Sequence, residues 1–349
     1  MLGRFVCGML SCMNTPSNAP RGRASISYDD APIGIFDSGF GGLTVAREIA
    51  RELPDESIVY FGDRGRCPYG PRPQEEVDGF VQQICTWLTA RKVKMIVIAC
   101  NTATAAGLAH AQRRFSIPVI GAVEAGARAA ARATKNRRVG VISTKGTFES
   151  ECYPRAIRHI DAGITVFSTA TPKFVSIVEQ GIRMSEGPIE DLTSLASKVY
   201  IRPAFQEIAQ DYLEPLRRCH IDTLVLGCTH YPMLKALIGG VIGHNVLLVS
   251  SAEEMAKDVR DTLVRRGQLA TPGRRPVYEF YTTSPDVDEF RAFGSRVFNE
   301  PIATPTYVDL AELPIVPSAD EVPEPAACVG NSAEYAEEGD ESHVRNANR

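Results

Sequence analysis

Two cysteines stand at matching places in matching phrases. VKMIVIACNTATA carries Cys100 and DTLVLGCTHYPML carries Cys228, each an apolar run, a small residue, a Cys and then two polar residues that include a Thr. They are 128 positions apart, a spacing that suits two similar lobes. A helix is expected to start at Thr102, which would place Cys100 where the helix dipole and free N–H groups favour a thiolate. Two similarly placed thiols suit the transfer of a proton from one face of a stereocentre to the other. The Cα–H of an amino acid is a very weak acid, and a planar carbanion would form between one base that removes the proton and one that returns it. A cysteine pair can hold one thiolate and one thiol and exchange those roles. A thiol hydrolase would need one Cys, a base and an oxyanion hole, and leaves the second thiol unexplained. Cysteines packed at strand ends as small apolar residues are the purely structural alternative.

Other segments add groups of the right type. DSGFGG, Asp37 to Gly42, follows an apolar run, and its glycines allow a tight turn with close approach of a ligand to the backbone. Thr44 stands where a dinucleotide fingerprint has its third Gly, and no Gly-Lys-Ser/Thr follows, so neither nucleotide motif is present. Asp37 and Ser38 could face an ammonium or a carboxylate, or could simply cap the next helix. His230, two positions after Cys228, titrates near neutrality and can carry a proton. Cys228 with His230, or Cys219 with His220, offers metal-ligand types, but no second clustered pair accompanies them, and no metal site is expected. Tyr69 and Gly70 lie in the Pro-bracketed CPYGP, a rigid loop able to present N–H groups to a carboxylate, or an ordinary turn.

The elements that must position these groups are legible as an alternation. Apolar runs start at Ile33, Ile58, Val93, Ile117, Val139, Ile164, Asp222 and Val246. They are short and continuous, as strands buried on both faces should be. Helix-length stretches lie between them: LTVAREIARE, Gln74 to Arg91, Thr102 to Phe115, Pro203 to Cys219 and Ser251 to Gly267. The last has acids early and Arg265 and Arg266 late, matching the helix dipole. The pattern predicts an α/β fold of two lobes with mostly parallel sheets flanked by helices. Ligands of such sheets sit beyond the carboxyl ends of the strands, where Asp37, Cys100 and Cys228 fall.

Composition limits the function classes. A net charge of −4 over 349 residues gives no sign of a nucleic-acid partner. The charge is concentrated in 317–349, which holds eight acids and two bases, and this acidic tail is expected to be disordered. Residues 1–31 read as a disordered leader, whose apolar stretch from Phe5 to Met13 is short and glycine-broken for a secretion signal. Nine cysteines with no CxxC pair point to free thiols in a reducing compartment. No apolar run is long enough to span a membrane.

Taken in order, IGIFDSGFGGLTVAREI, IVYFGDRGRCPYG, VIACNTATA, IPVIGAVEAGARAA, VGVISTKGTFES, TPKFVSIVEQG, LVLGCTHYPML and SSAEEMA resemble the glutamate racemases of the cofactor-independent aspartate/glutamate racemase superfamily, from about Ile33 to Pro301. The resemblance implies a first lobe of 32–126 plus 251–301, a second lobe of 127–250, and an active site in the cleft between them. It implies that Cys100 is the base acting on D-glutamate and Cys228 the base acting on L-glutamate, with Asp37 and His230 assisting. Substrate contacts implied are Asp37, Ser38, Tyr69, Gly70, Asn101, Thr102, Thr144, Thr147, Thr229 and His230, with Glu179 as a further carboxylate near the site. No cofactor is implied. The activity would supply D-glutamate for peptidoglycan in a bacterial cytoplasm, and relatives of this kind are often homodimers. An aspartate or broad-specificity racemase is the near alternative, and a non-catalytic regulatory protein on the same fold the distant one. Cys67 beside PYG and the longer segment Gly187 to Arg202 depart from the family pattern.

Overall fold

The computed structural model describes residues 27–183 and 202–316. Most of the leader, the acidic tail and nearly all of the segment Gly187 to Arg202 lie outside the described residues. All eight apolar runs form strands. In chain order come β1 (Ile33–Asp37), α1 (Leu43–Glu52), β2 (Ile58–Gly62), α2 (Gln74–Ala90), β3 (Met95–Ile98), α3 (Asn101–Arg114), β4 (Val119–Gly121) and α4 (Ala122–Ala133). They are followed by β5 (Arg138–Ser143), α5 (Lys145–Glu149), α6 (Cys152–Ile160), β6 (Thr165–Ala170), α7 (Lys173–Arg183), α8 (Pro203–Arg218), β7 (Thr223–Gly227), α9 (Lys235–Ile242) and β8 (Leu247–Val249). The described chain ends with α10 (Ala252–Arg266), β9 (Tyr278–Thr282), α11 (Val287–Phe298) and β10 (Thr306–Tyr307).

Two wholly parallel sheets result. One has the order β10-β9-β2-β1-β3-β4 and the other β6-β5-β7-β8. Helices cover both, so β1, β3 and β7 are buried along their whole length and every residue in them can be apolar. Burying one Ile or Val of these strands contributes about 1.5–3 kcal/mol. Helix α10 closes as its charges predict, with Glu253 and Glu254 in its first turn, Arg265 and Arg266 in its last, and Gly267 left-handed at φ 62° after it.

The order of the strands decides where the site is. In the first sheet the chain moves from β1 to β2 on one side, then returns to place β3 on the other side of β1. In the second it does the same with β5, β6 and β7. Each reversal opens a crevice at the strands' carboxyl ends. Register puts Phe36 beside Ile98 and Ser143 beside Gly227, so Cys100 and Cys228 leave their sheets at equivalent points. The similarity of the two cysteine phrases is thus a similarity of position in two sheets.

Strands β9 and β10 have no counterpart among the predicted apolar runs. YEFYT alternates half-exposed and buried side chains because it lies near the sheet's margin, and β10 is only two exposed residues. The first sheet therefore continues past position 301. Residues through Ile315 belong to one compact unit.

Candidate active site

Strand β1 ends on Asp37, which is fully buried. Its Oδ2 accepts the Gly39 N–H at 3.1 Å, and its Oδ1 accepts the Thr229 hydroxyl at 3.2 Å, a bond that joins the ends of β1 and β7. Burial pushes the Asp37 carboxyl up, and the charge of His230 and the N–H groups of Gly39 and Gly42 work against that rise. The glycine turn permits this closeness. A Cβ on Gly41 would stand 2.6 Å from Thr229 Oγ1 and 2.7 Å from His230 Nδ1. Gly41→Ala is therefore expected to displace His230 and to lower turnover by roughly 10–100-fold, the scale on which misplacement of a reacting group is felt. Circular dichroism should remain native, and unchanged turnover would show that His230 and Thr229 yield freely.

Cys100 occupies the position before the first residue of α3, and its thiol donates to Ser38 Oγ at 3.8 Å. It is 6% exposed. The helix terminus does favour the thiolate, through the Ala103 N–H, but burial works against it. Burial pushes the Cys100 thiol up to about 12, Asp37 adds to the rise, and the Ala103 N–H and Ser38 only partly offset it. Desolvation of an anion outweighs a helix end when the thiol has lost nearly all its water. Cys228 behaves alike: burial drives it well above the ordinary thiol value, Cys100, Asp37 and Cys67 add to that, and the His230 N–H opposes it. The Cys100 thiolate would thus work against ionisation of Cys228.

His230 packs behind Cys228, with Nδ1 3.9 Å from Sγ. Burial lowers its basicity first, Asp37 and Glu179 raise it, and Arg64 lowers it. Its Nε2 lies 3.9 Å from Glu179 Oε1 and makes no hydrogen bond.

Three hydroxyls form the wall between the lobes. Thr102 Oγ1 is 2.9 Å from Thr144 Oγ1 and 3.3 Å from Thr147 Oγ1, and the Thr144 hydroxyl donates to Thr147 at 3.1 Å. Thr144 also caps α5, accepting the Thr147 N–H. They satisfy one another, and each can turn to donate to a carboxylate without adding charge. Asn101 is fixed by the Tyr153 hydroxyl, which donates to its Oδ1 at 2.7 Å, while its buried Nδ2 has no hydrogen-bond partner. A donor in that state is ready for a ligand acceptor.

The Tyr69 phenol is buried and donates to Asp63, so what the loop offers a ligand is its backbone, the groups the CPYGP pattern suggested. Gly70 sits tight against the second lobe: its carbonyl accepts the Gly146 N–H at 2.8 Å, and a Cβ there would lie 2.9 Å from that of Thr144. Beside these residues opens a cleft of about 550 Å³, bordered by Arg64, Cys67, Gly70, Thr144, Ser176 and Glu179. Cys67 does bring a third thiol to the site, and burial raises it to about 12.

The structure thus gathers Asp37, Ser38, Gly70, Cys100, Asn101, Thr102, Thr144, Thr147, Thr229 and His230 at the facing ends of two sheets, with Cys228 among them. Glu179 borders the same cleft but is held by Arg64 at 2.6 and 3.4 Å. Arg64 and Tyr153 were not singled out in the sequence. Neither belongs to a recognisable spacing, and each matters only through a partner on the other lobe. Among the described residues, no group of three or more His, Cys, Asp or Glu is placed to hold a metal ion. Nor is any helix among them long and apolar enough to cross a membrane.

Two parallel sheets of the same build, their carboxyl ends turned into one buried polar site with a cysteine from each, define a two-lobed α/β protein. The chain belongs to the Asp/Glu/Hydantoin racemase family, whose model matches residues 33–259. It is 44% identical to a glutamate racemase of Exiguobacterium sibiricum over 77% of this chain and 93% of that protein. Among solved structures it resembles a glutamate racemase isoform of Bacillus anthracis, with 41% identity and a TM-score of 0.72 over 81% of this chain and 99% of the other. A Francisella tularensis glutamate racemase, solved with D-glutamate, matches with 31% identity and a TM-score of 0.70 over 80% and 98%.

Proposed function

We propose that this protein interconverts L-glutamate and D-glutamate by two-base proton transfer at Cα, without a cofactor. The observation that supports this most is the equivalent placement of Cys100 and Cys228 beyond β3 and β7, each beside the central strand of its sheet. Cys100 removes the proton from the D-enantiomer and Cys228 from the L-enantiomer. The thiol on the far side returns a proton to the carbanion.

Burial works against ionisation of both thiols, so the substrate supplies part of what makes a thiolate available. An α-ammonium placed beside Asp37 and the two sulfurs offsets the desolvation of one thiolate, as an opposite charge within a few ångströms does. Asp37 then serves as the ammonium's partner and His230 as the acceptor of the Cys228 proton. Asn101 Nδ2, the three threonine hydroxyls and the N–H groups of the Tyr69–Gly70 loop bind the carboxylates. Exclusion of water strengthens these charges at the moment the carbanion forms.

The reading includes a cytoplasmic location, a homodimer and a supply of D-glutamate for peptidoglycan. The lobes are 32–126 plus 251 through at least β10, and 127–250, with the substrate taken up between them. Circular dichroism of purified protein with L- and D-glutamate, and separately with both aspartates, tests it. Activity with glutamate should exceed that with aspartate and survive dialysis against a chelator and against hydroxylamine. Comparable kcat/KM for the two amino acids would make it a broad-specificity racemase. Activity lost on dialysis and restored by metal or pyridoxal phosphate would overturn the two-thiol mechanism.

A further inference from the structure

We infer that Arg64 is a positioning residue for this site: by gripping Glu179 across the cleft, it keeps that carboxylate off His230. The inference rests on the racemase reading for its catalytic consequence, but not for its geometry. Arg64 lies in the turn after β2 and Glu179 on α7, so the pair spans the two lobes. The grip is two-pronged, Nη1 to Oε1 at 2.6 Å and Nη2 to Oε2 at 3.4 Å, and both side chains are largely buried. Glu289 Oε2, on α11, stands 3.8 Å from Nη2, and Cys67 Sγ is 3.8 Å from Nη1. The guanidinium also rides over Phe40, 5.3 Å from the ring centre, and Phe40 packs on His230 with centres 5.4 Å apart.

One oxygen carries the argument. Glu179 Oε1 is 2.6 Å from Arg64 and 3.9 Å from His230 Nε2, which has no hydrogen-bond partner. Cation and imidazole face the same acceptor, and the cation holds it. The charged and titratable groups facing His230 are Asp37 after β1, Cys228 on its own segment, Glu179 on α7 and Arg64 in the β2 turn. Without Arg64, Glu179 is free to close the remaining gap and fix His230 as an imidazolium through a charge-assisted bond. With Arg64 in place, the imidazole stays neutral and can take a proton from Cys228. A group fixed in the wrong protonation state cannot serve that step.

The test is the titration of His230, followed by NMR of histidine-labelled protein and assigned by the signal missing in His230→Asn. Arg64→Gln should move the midpoint up by about one unit or more, the scale of one neighbouring charge. Arg64→Lys should leave it low, and Arg64→Gln combined with Glu179→Gln should return it towards the starting value. The acid limb of kcat/KM from L-glutamate should move up with the midpoint in Arg64→Gln. If that variant does not fold, Glu179→Gln alone decides: it leaves the Arg64 charge unopposed, so the midpoint should fall. An unmoved midpoint in Arg64→Gln, a double variant that stays high, or a midpoint that does not fall in Glu179→Gln overturns the inference. Failure of the wild-type protein to racemise glutamate would instead overturn the function, and the titration would stand apart from it.

Discussion

Cys100→Ser and Cys228→Ser should each nearly abolish racemisation while sparing opposite halves of the chemistry. Loss of a positioned base or acid costs on the order of 10²–10⁴-fold. An alcohol in place of the thiol is a far weaker acid, and burial at 6% and 8% exposure would disfavour its alkoxide further. Elimination of a good leaving group from a β-substituted analogue needs only one base. Cys100→Ser should therefore still act on an L-configured analogue through Cys228, and Cys228→Ser on a D-configured one through Cys100. In D₂O, early D-product formed from protiated L-glutamate by the wild-type enzyme should carry deuterium at Cα, while remaining substrate stays protiated. The thiol that reprotonates has exchanged with solvent, and the one that abstracts returns the original proton. Protium carried into product would point to a single base, and near-normal racemisation by either variant would return that cysteine to a packing role.

Much of this arrangement was legible in the chain because it depends on local pattern. Continuous apolar runs such as MIVI and TLVLG can only be strands covered on both sides, and a Cys just past each must lie at the ligand-binding edge of its sheet. The glycines at 39, 41 and 42 announced a close approach, though what approaches Gly41, Thr229 and His230, comes from nearly two hundred residues away. What the chain hides is whatever depends on the two lobes meeting. Glu179 looks like an isolated carboxylate until Arg64 is found against it. Strand β9 escaped because a half-exposed strand has no continuous run to read. The acidity of Cys100 is hidden in the same way: a helix N-terminus is visible in sequence, whereas the loss of water that outweighs it comes only with the folded packing.

That loss of water has a consequence for stability. Cys85, Cys100 and Cys228 are buried and free, and burial raises all three above the ordinary thiol range. In the unfolded chain a thiol gives up its proton near pH 8.5–9, roughly its reference value. The folded chain keeps these protons through that range, so the unfolded state binds fewer protons and stability must fall as pH rises. The stabilisation is complete below about pH 8.5 and is lost as pH climbs towards about 12, the value for Cys100. Each such thiol contributes a slope of about 1.4 kcal/mol per pH unit while only the unfolded chain has lost its proton, and Cys67 and Cys152, also raised by burial, act in the same direction. Urea unfolding followed by circular dichroism at pH 7, 9, 10 and 11 should show a flat region and then a steep descent. Cys85→Ala tests the cause, because Cys85 lies on α2 in a core cluster with Ile84, Leu88 and Val81 and is not among the residues assigned to the site. The variant should be less stable at pH 7, by about 1 kcal/mol for the vacated space, yet its alkaline slope should be shallower by about 1.4 kcal/mol per pH unit, the share of one thiol. An unchanged slope in Cys85→Ala, or stability that stays level to pH 11, would mean that these thiols ionise in the folded protein without resistance. The site would then need no help from the substrate's ammonium to make its base.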